Sequence, residues 1–133
     1  MKNAIRNATL QDFKTIRKWW EAWEDRVPKL EELPNNGLGG LILERDGKSI
    51  EVSFPFLTNS KMGYVGYLVR DPKIEPTKAE QKMLAEASIQ KLKSFGCTRV
   101  FFMTNLDHGI ALMKELGFTM SEKVFSYGEG RLS

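Results

Sequence analysis

The sequence predicts a single α/β domain with a mixed β-sheet, and three observations support this prediction. The chain has 133 residues, 41% of them hydrophobic, which suits one domain with one core. The first half shows the pattern of strands joined by short turns, and the second half alternates helices with strands. Antiparallel strands followed by a β-α-β arrangement imply a mixed sheet with helices on both faces. We therefore expect residues 1–133 to form one domain with the element order β-α-β-β-β-α-β-α-β.

The N-terminal segment predicts a strand followed by an amphipathic helix. Residues 4–8 form the predicted strand, and Thr9 is the predicted N-cap, with Asp12 in the capping-box position. The helix is expected to continue to about Asp25. Its apolar face is formed by residues at spacings of three and four: Phe13, Ile16, Trp20, Trp23 and Val27. Trp19 lies outside this stripe and is expected to be a flanking core residue.

A connector and three antiparallel strands are predicted next. The connector, residues 28–40, contains two prolines and three glycines. Strands are predicted at 38–44, 48–57 and 64–69, and Asp46-Gly47 is a hairpin turn signal between the first two. Pro55 lies within the second of these strands. Because proline cannot donate to a sheet ladder, it predicts an edge position or a bulge there.

The second half predicts a long helix, a buried strand, a short helix and a last strand. The long helix spans about residues 77–95 and ends before Gly96; its inner stripe is Leu84, Ser88, Leu92 and Phe95. Residues 98–103 are nearly all apolar, as expected for a strand buried on both faces. The short helix carries Leu106, Ile110 and Met113 on one face. Residues 118–127 form the predicted last strand.

Composition limits the classes of function. The single cysteine, Cys97, excludes an internal disulfide and argues against a cysteine-built metal site, so we expect no metal and a reducing, cytoplasmic setting. Twenty basic and seventeen acidic residues are interleaved, which disfavours nucleic-acid binding. No apolar run approaches the roughly 20 residues that span a bilayer. The first ten residues lack the apolar core of an export signal, so a soluble protein is expected.

Three segments, taken together, resemble a known family. They are Ile5-Arg6-Asn7-Ala8-Thr9 with Asp12; Tyr64 to Val69 followed by Asp71-Pro72; and Asn105 with Lys114-Glu115-Leu116-Gly117-Phe118. Their order and spacing resemble the GNAT superfamily of acyl-CoA-dependent N-acyltransferases over nearly the whole chain, and the short connector is similar to compact bacteriophage GNAT-like proteins. The resemblance implies the GNAT fold. It also implies transfer of an acetyl or other acyl group from acyl-CoA to an amine acceptor.

The resemblance also implies a set of cofactor-binding residues. In the GNAT family, the loop after the proline carries glycines, opens a helix and holds the CoA pyrophosphate; the corresponding residues here are Lys73, Thr77, Lys78 and Ala79. Backbone groups at Leu68 and Val69 would contact the acyl carbonyl and the pantetheine, and Asn105 would contact CoA.

The loop itself departs from the family pattern, because it contains no glycine. Residues 73–80 read Lys-Ile-Glu-Pro-Thr-Lys-Ala-Glu. Pro76 removes one N–H donor, and Glu75 and Glu80 repel phosphate, whereas Lys78 and Lys82 add positive charge near the helix start. The alternative interpretation is an ordinary helix N-terminus with proline in its first turn.

The catalytic candidates are His108, Tyr67 and Glu51. The family often places a tyrosine general acid in the last helix, but the corresponding residue here is Met113. His108 is the only histidine and can act as an acid or base near neutral pH. Either Tyr67 or Tyr64 is expected to face the cleft, since alternation along a strand separates them. Glu51 could act as a base through water. Each of the three also has a purely structural interpretation: His108 as a polar residue at a helix start, Tyr67 as a packing residue and Glu51 as an outward-facing charge on a strand.

A second function class stays open at this point. A catalytically inactive GNAT-like protein would act as a binding or regulatory module through protein contacts, with the aromatic-rich first helix as its surface. A homodimer is also possible, through the strand that contains Pro55 or through the terminal hairpin. The sequence does not identify the amine acceptor.

Overall fold

The computed structural model describes residues 1–103, 107–120 and 128–132, with only the backbone at positions 107 and 108. The chain forms two units, Met1–Met103 and Thr104–Ser133. A single domain over the whole chain therefore stays a prediction. No helix in the described parts is both long and apolar enough to cross a membrane.

The first unit contains the sheet and two helices. Its elements are β1 (Asn3–Asn7), a 3-10 turn (Leu10–Asp12), α1 (Phe13–Ala22), two further 3-10 turns (Leu30–Glu32 and Pro34–Gly37), β2 (Leu41–Arg45), β3 (Lys48–Leu57), β4 (Met62–Arg70), α2 (Lys78–Ser94) and β5 (Arg99–Phe102). The second unit contains α3 (Asp107–Glu115). The predicted order is confirmed through α3. Of the predicted last strand, residues 118–120 have no regular structure and 121–127 lie outside the described residues.

The five strands form one mixed sheet in the order β1-β2-β3-β4-β5. Neighbouring strands are antiparallel from β1 to β4, and β4 and β5 are parallel. Asp46 and Gly47 both have positive φ, 51° and 82°, as the predicted tight hairpin requires. β3 is an interior strand, but Pro55 lies beyond Ser53, the last β3 residue paired with β2. Within the described residues, β3 therefore pairs only with β4 at Pro55, which confirms the predicted edge position at this residue.

Each face of the sheet carries one helix and one core. The core on the α1 face consists of Ala8, Ile16, Trp19, Trp20, Leu33, Ile42, Val52, Phe54 and Val69. The core on the α2 face consists of Leu41, Leu43, Ile50 and Leu84, with Ser53 and Ser88 joined by a 2.8 Å hydrogen bond nearby. Trp19 is buried, as expected. The predicted capping box of Thr9 and Asp12 is present at the 3-10 turn that leads into α1, where the Thr9 N–H donates to Asp12 Oδ2 at 2.7 Å; the N-cap of α1 itself is Asp12.

Three burial predictions are wrong, and each lies near the end of an element. Trp23 is exposed because α1 ends at Ala22; its indole N–H donates to the Arg70 carbonyl at 3.0 Å. Phe95 is exposed because α2 ends one residue before it. Phe101, in β5, is also exposed, so β5 is not buried on both faces. Within the described residues, β5 pairs with β4 alone.

Candidate active site

The central feature of the site is a bulge in β4. Val52 pairs with Val69 and Phe54 with Gly66, so two β4 residues lie opposite the single β3 residue between these pairs. The first of the two, Tyr67, has φ +51°. A positive φ is unusual for a bulky residue, and such bulges bend a strand and increase its twist. The strand therefore changes direction at Tyr67.

A gap between β4 and β5 begins at the same place. The parallel pairing runs from Met62↔Arg99 to Val65↔Phe102, where β5 ends. The last five residues of β4, Gly66–Arg70, continue without a β5 partner among the described residues. An unpaired strand edge presents backbone N–H and C=O groups that can bind an extended ligand containing amides.

Tyr67 lies on the α1 face of the sheet, where Trp20, Phe56 and Arg26 contact it. Its ring packs against Trp20 and Phe56, with centroid distances of 6.5 and 6.0 Å. Its phenol oxygen accepts a hydrogen bond from Arg26 Nη2 at 2.9 Å. The bulge thus places Tyr67 close to the point along β4 where the pairing with β5 ends.

The bulge also brings Tyr64 onto the same face as Tyr67. In a regular strand, side chains alternate between the two faces, so residues three apart lie on opposite faces. The extra residue in β4 shifts this alternation and puts both tyrosines on one face. The rings of Tyr64 and Tyr67 both contact Phe56, and Tyr64 stacks on Phe101 with the centroids 4.7 Å apart. The expectation that alternation puts the two tyrosines on opposite faces is wrong for that reason, and which of them faces the cleft stays a prediction.

Gly66 allows the Tyr64 ring to lie over the strand just before the bulge. A Cβ atom at Gly66 would lie 2.4 Å from the nearest Tyr64 ring atom. We expect Gly66→Ala to lower the free energy of unfolding by about 1–3 kcal/mol, because the ring must leave its stacked position. Urea denaturation measures this cost. In a Tyr64→Ala background the same substitution is expected to cost less, and an equal cost in both backgrounds would contradict the assignment. Gly128→Ala, in open space, is the control.

Glu51 lies on the other face of the sheet. It pairs with Leu43, which belongs to the core on the α2 face, and with Arg70 of β4. The residue is 4% exposed. Burial raises the pKa of Glu51 to about 7; nearby Arg70 opposes this rise and Glu80 adds to it. The sheet therefore separates Glu51 from Tyr67.

The N-terminus of α2 is closed by a carboxylate of the chain itself. The Thr77 N–H donates to Glu80 Oε1 at 2.8 Å, and the Glu80 N–H donates to Thr77 Oγ1 at 3.1 Å. Glu80 is 1% exposed and is paired with Arg45, whose Nη2 and Nε lie 2.6 and 2.9 Å from its two oxygens. Asn3 Nδ2 donates to Glu80 Oε2 at 2.6 Å. The Arg45 guanidinium, first among these partners, holds the pKa of Glu80 at about 2.

Neither a scan of protein-family models nor a search of curated proteins found a match to this chain. Solved structures do match. N-acetylglutamate synthase from Neisseria gonorrhoeae, complexed with coenzyme A and L-arginine, has a TM-score of 0.70 at 22% identity, covering 90% of this chain but 28% of the synthase. Mycobacterium tuberculosis Rv2747, in complex with CoA, has a TM-score of 0.73 at 17% identity, with 90% and 73% covered. Glucosamine-6-phosphate N-acetyltransferase from Arabidopsis thaliana has a TM-score of 0.64 at 15% identity, with 98% and 99% covered.

This chain has the GNAT acetyltransferase fold. The predicted fold class is thereby confirmed, including the mixed sheet with helices on both faces. The chain spans 28% of the synthase that it matches. At these identities the likeness concerns the fold, so the activity is argued below from the residues of this chain.

Within the GNAT fold, the predicted thioester-binding residues lie at the bulge. Leu68 is the second bulge residue, and its side chain is 47% exposed, whereas the Val69 side chain is buried in the core on the α1 face. Only the backbone of Val69 is therefore placed to contact a ligand in the gap. Whether either residue binds a thioester stays a prediction.

The predicted pyrophosphate residues lie around the start of α2. Lys73 is exposed, and its backbone N–H donates to Asp71 Oδ1 at 2.9 Å. Thr77 is the N-cap, and its hydroxyl oxygen is the acceptor for Glu80 described above. Lys78 and Ala79 are exposed in the first turn.

The remaining predicted residues fall in the second unit. Asn105 lies outside the described residues. His108 belongs to α3, as expected, but only its backbone is described. Met113, at the position where the family often has tyrosine, is buried. Leu106, predicted on the same helix face, lies outside the described residues, and Ile110 is half-buried.

Three arginines contribute to the site and were not singled out in the sequence. Arg26 holds Tyr67, Arg45 holds Glu80, and the Arg70 guanidinium lies 4.8 Å from the Trp23 ring centroid. Tertiary contacts alone bring these pairs together. The structural role of Glu80, in contrast, has a sequence signal, because Thr77-Lys-Ala-Glu80 matches the capping-box pattern.

A separate cavity of about 540 Å³ lies where β3 extends beyond β2. It is lined by the connector, by Pro55–Leu57 and by the end of α2, including Lys91 and Phe95. Lys91 Nζ donates to the Gly39 carbonyl at 3.2 Å, and burial lowers the pKa of Lys91. Phe56 lines this cavity and also packs against Tyr67.

Proposed function

We propose that this chain is an N-acyltransferase that moves an acetyl or other acyl group from an acyl-CoA thioester to an amine. The observation that carries the proposal is the gap between β4 and β5, which begins at the bulge of Tyr67. A pantetheine arm is an extended chain with two amide groups, so it suits an unpaired strand edge. Two of the solved structures with this fold hold CoA, and the name of a third describes N-acetyl transfer.

The reaction forms one bond and breaks one bond at the carbonyl carbon, and it moves two protons, one from the nitrogen and one to the sulfur. The neutral amine nitrogen attacks the thioester carbonyl carbon and forms the C–N bond; the C–S bond then breaks. The amine loses a proton to a base, and the departing thiolate gains one from an acid. Backbone N–H groups aimed at the carbonyl oxygen stabilise its negative charge in the transition state. We assign this role to the main chain at Leu68 and Val69.

Tyr67 is our candidate for the acid. It lies at the bulge, its phenol oxygen accepts a hydrogen bond from Arg26, and a phenol is a group that can give a proton to a thiolate. Glu51 and His108 are the candidates for the base. Glu51 has a pKa suited to proton exchange near neutral pH, but it faces the α2 side of the sheet. A chain of water molecules would have to connect it to the amine.

Binding of acetyl-CoA to the pure protein tests the proposal. At about 100 times its Kd, a ligand raises the stability of the native state by about 2.7 kcal/mol, which thermal unfolding detects. We expect this shift in the wild-type chain and its loss in Leu68→Arg, because a charged side chain would then lie at the edge of the gap. Leu10→Arg is the matched control, since Leu10 is also exposed, at 59%, and lies next to α1.

Release of thiol with a panel of primary amines then tests the transfer itself. Stabilisation by acetyl-CoA together with amine-dependent thiol release supports an enzyme. If acetyl-CoA, longer acyl-CoAs and free CoA all leave the melting temperature unchanged, the proposal fails.

A second candidate function is a GNAT-fold binding module without catalysis. Two observations favour it: Met113 lies where the family often has its tyrosine acid, and the α2 N-terminus is closed by Glu80. Such a module would bind a protein partner and would show no amine-dependent thiol release. The transfer assay separates the two functions.

A further inference from the structure

The N-terminus of α2 does not fit the pyrophosphate of CoA. A phosphate group at a helix start needs backbone N–H groups that are open to it and a surrounding positive potential. In the loop before α2 and in its first turn, the N–H groups of Lys73, Ile74, Thr77 and Glu80 donate to protein oxygens, so the helix cap leaves only the N–H groups of Lys78 and Ala79 to a ligand. Pro76 has no N–H group.

The carboxylate at this helix start is fixed in place. Glu80 accepts hydrogen bonds from Arg45, from Asn3 and from the Thr77 N–H, and its side chain is 1% exposed. Moving it aside would leave Arg45 and Asn3 without this acceptor and would leave a buried carboxylate unpaired, which is costly. A pyrophosphate bound at this helix start would therefore lie close to the negative charge of Glu80, which its hydrogen bonds keep in place.

The guanidinium of Arg45, which could have bound a phosphate here, is already paired, so the exposed Lys73 and Lys78 are the cations at this helix start that remain near solvent. Arg45 points both Nη2 and Nε at Glu80, and the same Nη2 donates to the Glu75 carbonyl at 3.2 Å. The chain's own carboxylate thus takes the place that an anionic ligand would take at a helix N-terminus.

We propose that this chain recognises its donor through the pantetheine thioester and that the pyrophosphate of CoA adds little to the affinity. This inference rests on the proposed acyl transfer and narrows its substrate class to pantetheine thioesters, whether or not they carry a nucleotide. The gap at the bulge supplies the strand edge for pantetheine, and the capped helix start offers a pyrophosphate few N–H groups, next to a fixed carboxylate.

Calorimetric titration of the full chain with three donors tests the inference. Acetyl-CoA, S-acetyl-4′-phosphopantetheine and S-acetylpantetheine share the thioester arm and differ in their phosphates. We expect their Kd values to agree within about tenfold. We also expect added salt to change the three Kd values equally. Salt weakens contacts between charged groups, so it would weaken the binding of acetyl-CoA more than that of S-acetylpantetheine only if the protein contacted the phosphates.

The outcomes separate the inference from the proposed function. If acetyl-CoA binds more than about tenfold tighter than S-acetylpantetheine, the inference is overturned and the proposed function survives. If none of the three binds, both fall. Glu80→Gln is expected to increase the preference for acetyl-CoA, and Glu86→Gln, which changes an exposed carboxylate on the same helix, is expected to leave it unchanged. Should Glu80→Gln fail to fold, the wild-type comparison decides alone.

Discussion

Replacing Glu80 with alanine is expected to lower the free energy of unfolding by about 3 kcal/mol, because it breaks a buried ion pair and a helix cap together. Glu80 accepts hydrogen bonds from Arg45, Asn3 and the Thr77 N–H, so one substitution removes the acceptor for all three. The contacts join β1, β2 and α2 at one point. Urea denaturation of the two proteins at neutral pH measures the difference.

A control on the same helix isolates the buried network. Glu86 is exposed on α2, and Glu86→Ala is expected to change stability by less than about 0.5 kcal/mol. Equal effects of the two substitutions would show that the network around Glu80 does not stabilise the fold.

The pH dependence of the Glu80 contribution has a defined sign. Its pKa is about 2 in the folded protein, below the ordinary value of 4.5. The ionised form is therefore favoured by folding, and the stabilisation is fully present above pH 4.5 and is lost as the pH falls towards 2. The stability difference between the wild type and Glu80→Gln should shrink over that interval and vanish below it.

Replacing Glu51 with glutamine is expected to stabilise the protein at alkaline pH. Burial raises the pKa of Glu51 from 4.5 to about 7, so the folded protein holds this proton more tightly than the unfolded chain does. Stability then falls as the pH rises from 4.5 through 7, and the loss is complete above 7. The shift corresponds to about 3 kcal/mol at most, since each pKa unit is worth about 1.4 kcal/mol.

Thermal or urea unfolding of the wild type and Glu51→Gln across this range measures the effect. The two proteins are expected to be about equally stable near pH 4.5, and the variant is expected to be the more stable one at about pH 8. A variant that is less stable than the wild type at alkaline pH would contradict the burial cost. Glu86→Gln, which changes an exposed carboxylate on α2, controls for loss of a carboxylate.

The same variant tests a catalytic role for Glu51. If Glu51 is the base, Glu51→Gln loses amine-dependent thiol release and gains stability. The wild-type rate should then rise with pH through about 7. If the variant keeps the wild-type rate and pH profile, the base is another group, and Glu51 acts only on stability.

Local sequence signals determined the order of the elements and several of their ends. The Thr9 cap, the Asp46-Gly47 hairpin and the bounds of β3 are all as predicted. Each of these features depends on residues close together in the chain: a capping side chain, a turn that requires positive φ, or alternation along one strand. The resemblance to the GNAT family added the fold, because the motifs occur in that family's order.

Tertiary structure alone decided the features that form the site. The bulge at Tyr67 depends on how β4 pairs with β3, and the gap depends on where β5 ends, so neither has a local sequence pattern. The bulge changes the alternation of side chains along β4. Alternation read from the sequence therefore put Tyr64 and Tyr67 on opposite faces, whereas both lie on the α1 face. The environment of Glu80 also depends on tertiary structure. In the sequence Glu80 is an acidic residue in the first turn of a helix, and only its contact with Arg45, from a distant strand, makes it a buried and paired carboxylate. Sequence specifies what each short segment prefers, whereas long-range pairing determines which groups are left open to a ligand.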